Sequence, residues 1–395
     1  MIEIIIGGDI CPLGKNESLF KQGNAKGLFN DLLDDFERAD LSIINLECPF
    51  IKKNTPILKN GPVLGVPNEC INGFSEAGID IFNLANNHIL DHGVSGLTNT
   101  LKLCEQRGIE TFGSGENIKK AEQILIKEIN GLRIGFLGIA ENEFSIATES
   151  TPGANPLNII RFVRNIKENQ GKYDYLIVFL HSGINAYTLP SPKLMETCRF
   201  IAEMGAHLII CQHSHCPGCF EKYNDSYIVY GQGNLIFDRK AKKNSLWNKG
   251  FLIKFVISDY KNHSFTITPY EQSKDTYGAK KILNENRSNF FNEIKQISEK
   301  LSDPLQVRNE WIKLCNERKH GYYFGLFAAY INFRIIKFLN RKFNIFEKIY
   351  STQHLLVLEN YFKTESHREI IQTILEEKRK KSEKNKQDSY KKVIS

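Results

Sequence analysis

The sequence predicts an α/β fold, and three observations carry that prediction. Apolar runs of strand length recur over the first 275 residues, helix-period segments separate several of them, and few polar residues interrupt the runs. Uninterrupted apolar runs suit strands covered on both faces, and strand–helix alternation suits a sheet with helices packed against it.

In chain order, "IEIIIGG" (2–8), "LSIINLE" (41–47), "IDIFNLA" (79–85), "LRIGFLGIA" (132–140), "DYLIVFLHSG" (174–183), "AHLIICQHSH" (206–215) and "YIVYGQGN" (227–234) read as buried strands. Amphipathic stretches at 17–38, 94–107 and 191–204 supply helical material between them. "GFLIKFVIS" and "HSFTITPYE" follow as a closing hairpin. From about residue 279 the strand signal ends. "LNENRSNFFNEIKQISEKL", "PLQVRNEWIKLCNERK" and "LLVLENYFKTESHREIIQTILEEKRKK" carry helical spacing, and "KRKKSEKNKQDSYKKVIS" reads as a charged, frayed tail.

Charge divides the chain in the same place. Residues 276–395 hold 24 Lys and Arg against 14 Asp and Glu, whereas residues 1–275 hold 28 against 31. The expected organisation is therefore an α/β domain over 1–275 and a basic helical region over 276–395. With 41% hydrophobic and 25% charged residues the chain has the composition of a soluble globular protein. No stretch approaches the roughly 20 apolar residues of a membrane span. "MIEIIIGGDI" lacks the basic start and small-residue cleavage site of a signal peptide. Nine irregularly spaced cysteines, an odd number, point to reduced thiols rather than a disulfide framework. The expected location is the cytoplasm, including the inner face of a membrane.

"FNLANNHILDHGVSGL" (82–97) packs Asn86, Asn87, His88, Asp91 and His92 behind an apolar run. A turn explains one or two such residues but not five. Similar polar residues follow the other strands: Asp9 after the first, Glu47 after the second, His181 after "LIVFL", and His213 and His215 after "HLIIC". Open α/β sheets place their sites at such strand ends. Carboxylate oxygens and imidazole nitrogens are ligands of Zn, Mn and Fe-type cations, and sites with a shared carboxylate commonly hold two ions. His92 and His207 are not counted among the ligands.

The order and wording of these segments resemble the bacterial capsule-synthesis family CapA (poly-γ-glutamate capsule type), a branch of the calcineurin-like metallophosphoesterases. "GGDI", "NLECPF", "LANNHILDHG", "GSGEN" (113–117), "FLHSG", "HSHCPGCFE" and "YGQGNLIFD" carry the resemblance over about residues 1–240. It implies a four-layer α/β/β/α sandwich, here with a helical C-terminal appendage. It also implies two divalent metal ions held by Asp9, a bridging Glu47, Asn87, His181, His213 and His215. His88 would be the general acid and Asp91 the residue that fixes its tautomer. The implied activity is that of a metal-dependent hydrolase of phosphoester type, or a related transferase, acting on a capsule or surface polymer. A non-catalytic metal-binding scaffold that binds a capsule synthase or membrane surface is the alternative.

Three departures from the pattern stand out. Cys11 occupies the position of a frequent histidine ligand, and Gln212 and Ser214 replace the Gly and Pro of a Gly-x-His-Pro-His segment. Cys11 is read as a ligand or as a buried structural thiol. Cys211, Cys216 and Cys219 admit a zinc-knuckle reading, and "GSGEN" admits either a phosphate cradle or a turn. In the basic region, 321–346 carries nine aromatics with Arg334, Lys337, Arg341 and Lys342. That segment suits an anionic membrane surface or a protein partner such as a capsule synthase, or a brace packed on the sandwich. No base-reading motif accompanies it, so no nucleic-acid partner is expected.

Overall fold

A computed structural model describes residues 1–238, 246–273 and 276–328, and isolated positions from Phe338 onward. Two compact units divide the chain, Met1–Arg308 and Asn309–Ser395. The expected domain boundary at 275/276 falls inside the first unit, ahead of strand Ala279–Lys281 and helix Asn284–Glu299.

The first unit holds two large sheets and two small two-stranded ones. The larger has the order Ala279–Lys281, His263–Gln272, Lys249–Ile257, Ile2–Cys11, Leu41–Leu46, Ile81–Asn83 and Glu110–Phe112, and Asn234–Phe237 joins the end of Ile2–Cys11. The smaller runs Phe220–Tyr223, Ser226–Val229, Leu208–Gln212, Tyr175–His181, Leu132–Ala140 and Leu125–Ile129. Pairing is parallel at the centre of both sheets, where the polar strand ends lie.

Alternation within strands explains the layering. Ile2, Ile4 and Ile6 from the first sheet pack with Phe136, Ile177 and Phe179 from the second in one buried cluster between the sheets. Ile5, Ile10 and Ile44 face outward onto Phe20, Phe74 and Leu97, and Val178 and Leu180 face outward onto Phe162, Leu194 and Ile201. Each central strand therefore buries both faces, which is why its sequence is almost continuously apolar. The result is the expected four-layer α/β/β/α sandwich.

Three segments differ from the sequence expectation. "YIVYGQGN" is not one strand: Ser226–Val229 lies in the smaller sheet and Asn234–Phe237 in the larger. The chain crosses between them at Gly231–Gly233, where Gly233 has φ of +82°. Residues 17–38 form short helices rather than one, because Gly23 (φ +70°) and Asn30 (φ +46°) interrupt the helical backbone. The strand signal does not end at 279: Ala279–Lys281 pairs with His263–Gln272, an edge strand whose two lysines hid it. Helix Asn284–Glu299 buries Phe290 and Ile294, and helix Pro304–Ala328 begins at the end of this unit. Half of 321–346 and most of the charged tail lie outside the described residues.

Candidate metal centre

The site forms where the central strands of both sheets end. Asp9 is aimed by a register irregularity in the first strand, between Ile6 and Asp9 and again before Ile10. Gly8 makes this possible, since a Cβ there would lie 2.0 Å from the Gly233 carbonyl oxygen. Glu47 follows Leu41–Leu46, and Asn87 and His88 follow Ile81–Asn83. His181 ends its strand. His213 and His215 lie in the turn beyond Gln212 with φ of +96° and +54°, an uncommon backbone for residues other than glycine. Such strain concentrates at functional sites.

Two ligand sets share one carboxylate. Glu47, His181 and His213 form one, and Asp9, Glu47 and His215 the other; within each set the nearest ligand atoms all lie within 4.8 Å of one another. Glu47 Oε1 is 3.7 Å from His181 Nε2 and 3.5 Å from His215 Nε2. Asn87 Oδ1 and His213 Nδ1 are each 3.1 Å from His181 Nε2. Both Glu47 oxygens are buried and hydrogen-bond to nothing. A carboxylate so placed calls for a cation, and the surrounding imidazole and amide donors suit a divalent one. The residues present therefore fit the metal that the fold implies.

Outer partners set the orientation of these groups. Asn45 donates to Asp9 Oδ1 at 2.8 Å. His215 Nδ1 faces Asn234 Oδ1 at 2.9 Å and Asp9 Oδ2 at 3.3 Å, which leaves Nε2 directed at Glu47. His213 Nε2 faces Glu141 Oε1 at 3.3 Å, and Asn87 donates its amide hydrogen to Glu143 at 3.0 Å. Fixing one imidazole nitrogen with an acceptor presents the other nitrogen's lone pair to a metal. Glu141, Glu143 and His213 form a third cluster of possible ligands at the rim.

Burial dominates the electrostatics. It holds the His181 imidazole well below its ordinary range and takes His213 down to about 4, with neighbouring imidazoles adding to the effect. Both are therefore neutral, as ligands must be. Burial, followed by the charge of Asp9, pushes Glu47 well up. Burial also acts upward on Asp9, but the hydrogen bond with His215, the charges of His181 and His215 and the Asn45 amide outweigh it and bring the carboxyl to about 2. Glu141 rises to about 7, chiefly through burial.

Beside the shared carboxylate stands His88, its Nε2 3.9 Å from Glu47 Oε1. Its Nδ1 lies 2.6 Å from Asp91 Oδ2, so the proton on Nδ1 is held by a carboxylate and Nε2 faces the site. All eight residues singled out from the sequence thus meet in one place. Cys11 does not join the ligand sets: it is buried, its thiol hydrogen-bonds with that of Cys48, and burial holds its pKa well up. Among the described residues no ligand cluster contains a cysteine, and Cys211 Sγ instead lies 3.4 Å from Cys198 Sγ. His92 and His207 accept backbone N–H groups of Thr55 and Leu176. "GSGEN" is a structural turn: Ser114–Gly115 pairs with Gly153–Ala154, and Asn117 caps helix Ile118–Ala121.

Sequence reasoning missed Lys59, Glu141, Glu143 and Asn234. Glu141 does follow a predicted strand directly, the signal used for the other ligands. Lys59 lies in an irregular stretch with no such signal.

Four α/β/β/α layers with carboxylates and imidazoles converging at the strand ends define an α/β sandwich protein with a candidate metal centre. The chain belongs to the family described as "Bacterial capsule synthesis protein PGA_cap", whose model matches residues 3–239. It is 31% identical over 162 residues to the capsule biosynthesis protein CapA of Bacillus anthracis, covering 40% of this chain and 39% of that one. It is 28% identical over 211 residues to the PGA biosynthesis protein CapA of Bacillus subtilis (strain 168), covering 51% of this chain and 55% of that one. The matches thus span about half or less of those relatives. Among solved structures, a phosphatase from Mycoplasma pneumoniae aligns with a TM-score of 0.45 at 15% identity, over 69% of this chain and 95% of that one. The calcineurin-like phosphoesterase YfkN of Bacillus subtilis aligns with a TM-score of 0.36 at 13% identity, over 75% and 96%.

Proposed function

We propose that this protein is a metal-dependent hydrolase of phosphoester type, or a related transferase, acting in the synthesis of a capsule or other surface polymer. The observation that carries the reading is Glu47, buried, without a hydrogen bond, and shared by two sets of ligand atoms beside an Asp-supported histidine. Asp9, Glu47 and His215 would hold one divalent ion, and Glu47, Asn87, His181 and His213 the other, Mn, Zn or Fe in kind. What such ions supply is polarisation of the ester oxygens and activation of water at neutral pH.

The chain's own residues do the rest. Neutral His181 and His213 present lone pairs rather than protons to the centre. Glu141 and Glu143 keep His213 and Asn87 turned toward it. His88, outside the ligand sets, is free to carry a proton on Nε2 and release it to a leaving oxygen, while Asp91 holds Nδ1 and stabilises the protonated ring. The relatives named for capsule and PGA biosynthesis support a surface-polymer setting. Within the same proposal the work is cytoplasmic, at the inner membrane face, and the basic segment 321–346 meets the membrane or a capsule synthase.

Turnover of an aryl phosphate by protein purified without chelator, with and without added Mn, Zn or Fe, tests the reading. Metal-stimulated turnover that is lost in His88→Ala supports it. Bound metal with no turnover of any phosphoester would leave the scaffold role in its place.

A further inference from the structure

Residues 52–65 cross the surface without helix or strand, and ten of the fourteen are exposed. The Lys59 side chain breaks that pattern at 1% exposure. Its ammonium lies 2.6 Å from Asp91 Oδ1 and donates to the Asn87 carbonyl oxygen at 3.2 Å. It stands 3.4 Å from His88 Nδ1, on the side of the ring away from Glu47. Asp91 Oδ2 is occupied by His88 Nδ1 and by the Leu64 N–H, each at 2.6 Å. The strap is pinned to the same turn three times more, by Ile57 N–H to the Asp91 carbonyl at 2.9 Å, Thr55 N–H to His92 Nδ1 at 3.0 Å and the Thr55 hydroxyl to the His92 carbonyl at 3.2 Å.

Burying an ammonium is costly unless it meets a charge and hydrogen-bond acceptors, which Lys59 does, and an apolar residue in its place would leave the buried Asp91 carboxylate without its cation. Lysine at 59 therefore points to a role that an apolar residue cannot fill. Asp91 is itself fully buried, its charge acts on Glu47, and Lys59 is a cation in direct contact with it. With both carboxylate oxygens held, Asp91 cannot rotate, and the His88 ring it grips stays aimed at the shared carboxylate. We propose that Lys59 is a positioning residue: it locks Asp91, and so His88, and makes the closed strap 52–65 a condition of a competent site. The inference rests on the proposed role of His88 as the acid.

The test compares full-length wild type with Lys59→Met and Lys59→Arg by metal content, by kcat and KM for an aryl phosphate, and by thermolysin cleavage ahead of Leu58, which is 42% exposed. Loss of an orienting partner of this kind costs about 10- to 100-fold in activity. Lys59→Met should lose that much in kcat with metal content and KM nearly unchanged, Lys59→Arg should recover part of it, and the strap should be cut faster in Lys59→Met. A kcat for Lys59→Met within about twofold of wild type, or no recovery in Lys59→Arg, overturns the proposal. If wild type turns over no phosphoester, the hydrolase reading fails alone. The clamp is then decided by thermolysin: faster cutting of Lys59→Met upholds it, and an unchanged rate overturns it.

Discussion

A buried carboxylate without hydrogen bonds carries a desolvation cost of several kcal/mol, so Glu47 is tolerable only as a protonated acid or beside a cation. The second alternative explains why imidazoles surround it. His88 is different in kind, since its Nδ1 belongs to Asp91 and its Nε2 is 3.9 Å from Glu47. His88→Ala should therefore keep bound metal and lose on the order of 10²–10⁴-fold in turnover, as expected for a missing general acid. Asp91→Asn should lose less. Metal analysis beside the rate assay checks the division of roles, because an empty His88→Ala site would make His88 a ligand. A second histidine gives a pH prediction far from this chemistry. Burial, with the charge of His263, lowers His207 to about 4. Since its unfolded value is about 6.5, the unfolded chain binds the proton first as pH falls. Stability should be complete above about pH 6.5 and decline by roughly 2–3 kcal/mol as pH falls toward 4. Denaturant titrations across that range should show a flatter profile for His207→Asn.

Backbone elements decide how residues so distant in sequence converge. Asp9 reaches the centre because the first strand is irregular around Gly7 and Gly8, with the Gly233 carbonyl where a side chain on Gly8 would be. Gly8→Ala should cost about 1–3 kcal/mol in stability through overpacking and weaken metal binding more than a surface substitution would. Thermal unfolding and metal titration of that variant measure both effects. The same elements show what the sequence made legible. Strands buried on both faces write themselves as apolar runs, so their ends, with Asp9, Glu47, His88 and His181, could be read directly. Lys59 could not, because nothing local in "NTPILKNGP" distinguishes a buried ammonium from an exposed one. Glu141 and Glu143 were hidden because carboxylates after a strand are common in solvent. The split of "YIVYGQGN" between two sheets was invisible because glycine signals a turn and not its destination.

At the scale of the whole molecule, the excess positive charge lies beyond residue 275 and the candidate centre lies in the acidic remainder. If 321–346 meets anionic lipid, each nearby cation contributes roughly 1 kcal/mol, screened by salt. Replacing Arg334, Lys337, Arg341 and Lys342 with Gln in the full chain should abolish low-salt co-sedimentation with anionic vesicles. Equal sedimentation of both proteins would remove the membrane from the proposal. The sandwich itself serves one end, to carry strand termini from both sheets to Glu47. The most direct measurement is therefore the divalent-metal stoichiometry of the full-length chain, purified without chelator, beside that of Glu47→Gln. Wild type should hold about two ions per chain, and Glu47→Gln, which removes the shared carboxylate, should lose most of them. Wild type that neither carries nor takes up divalent metal, or Glu47→Gln that binds as wild type does, would contradict the metal centre.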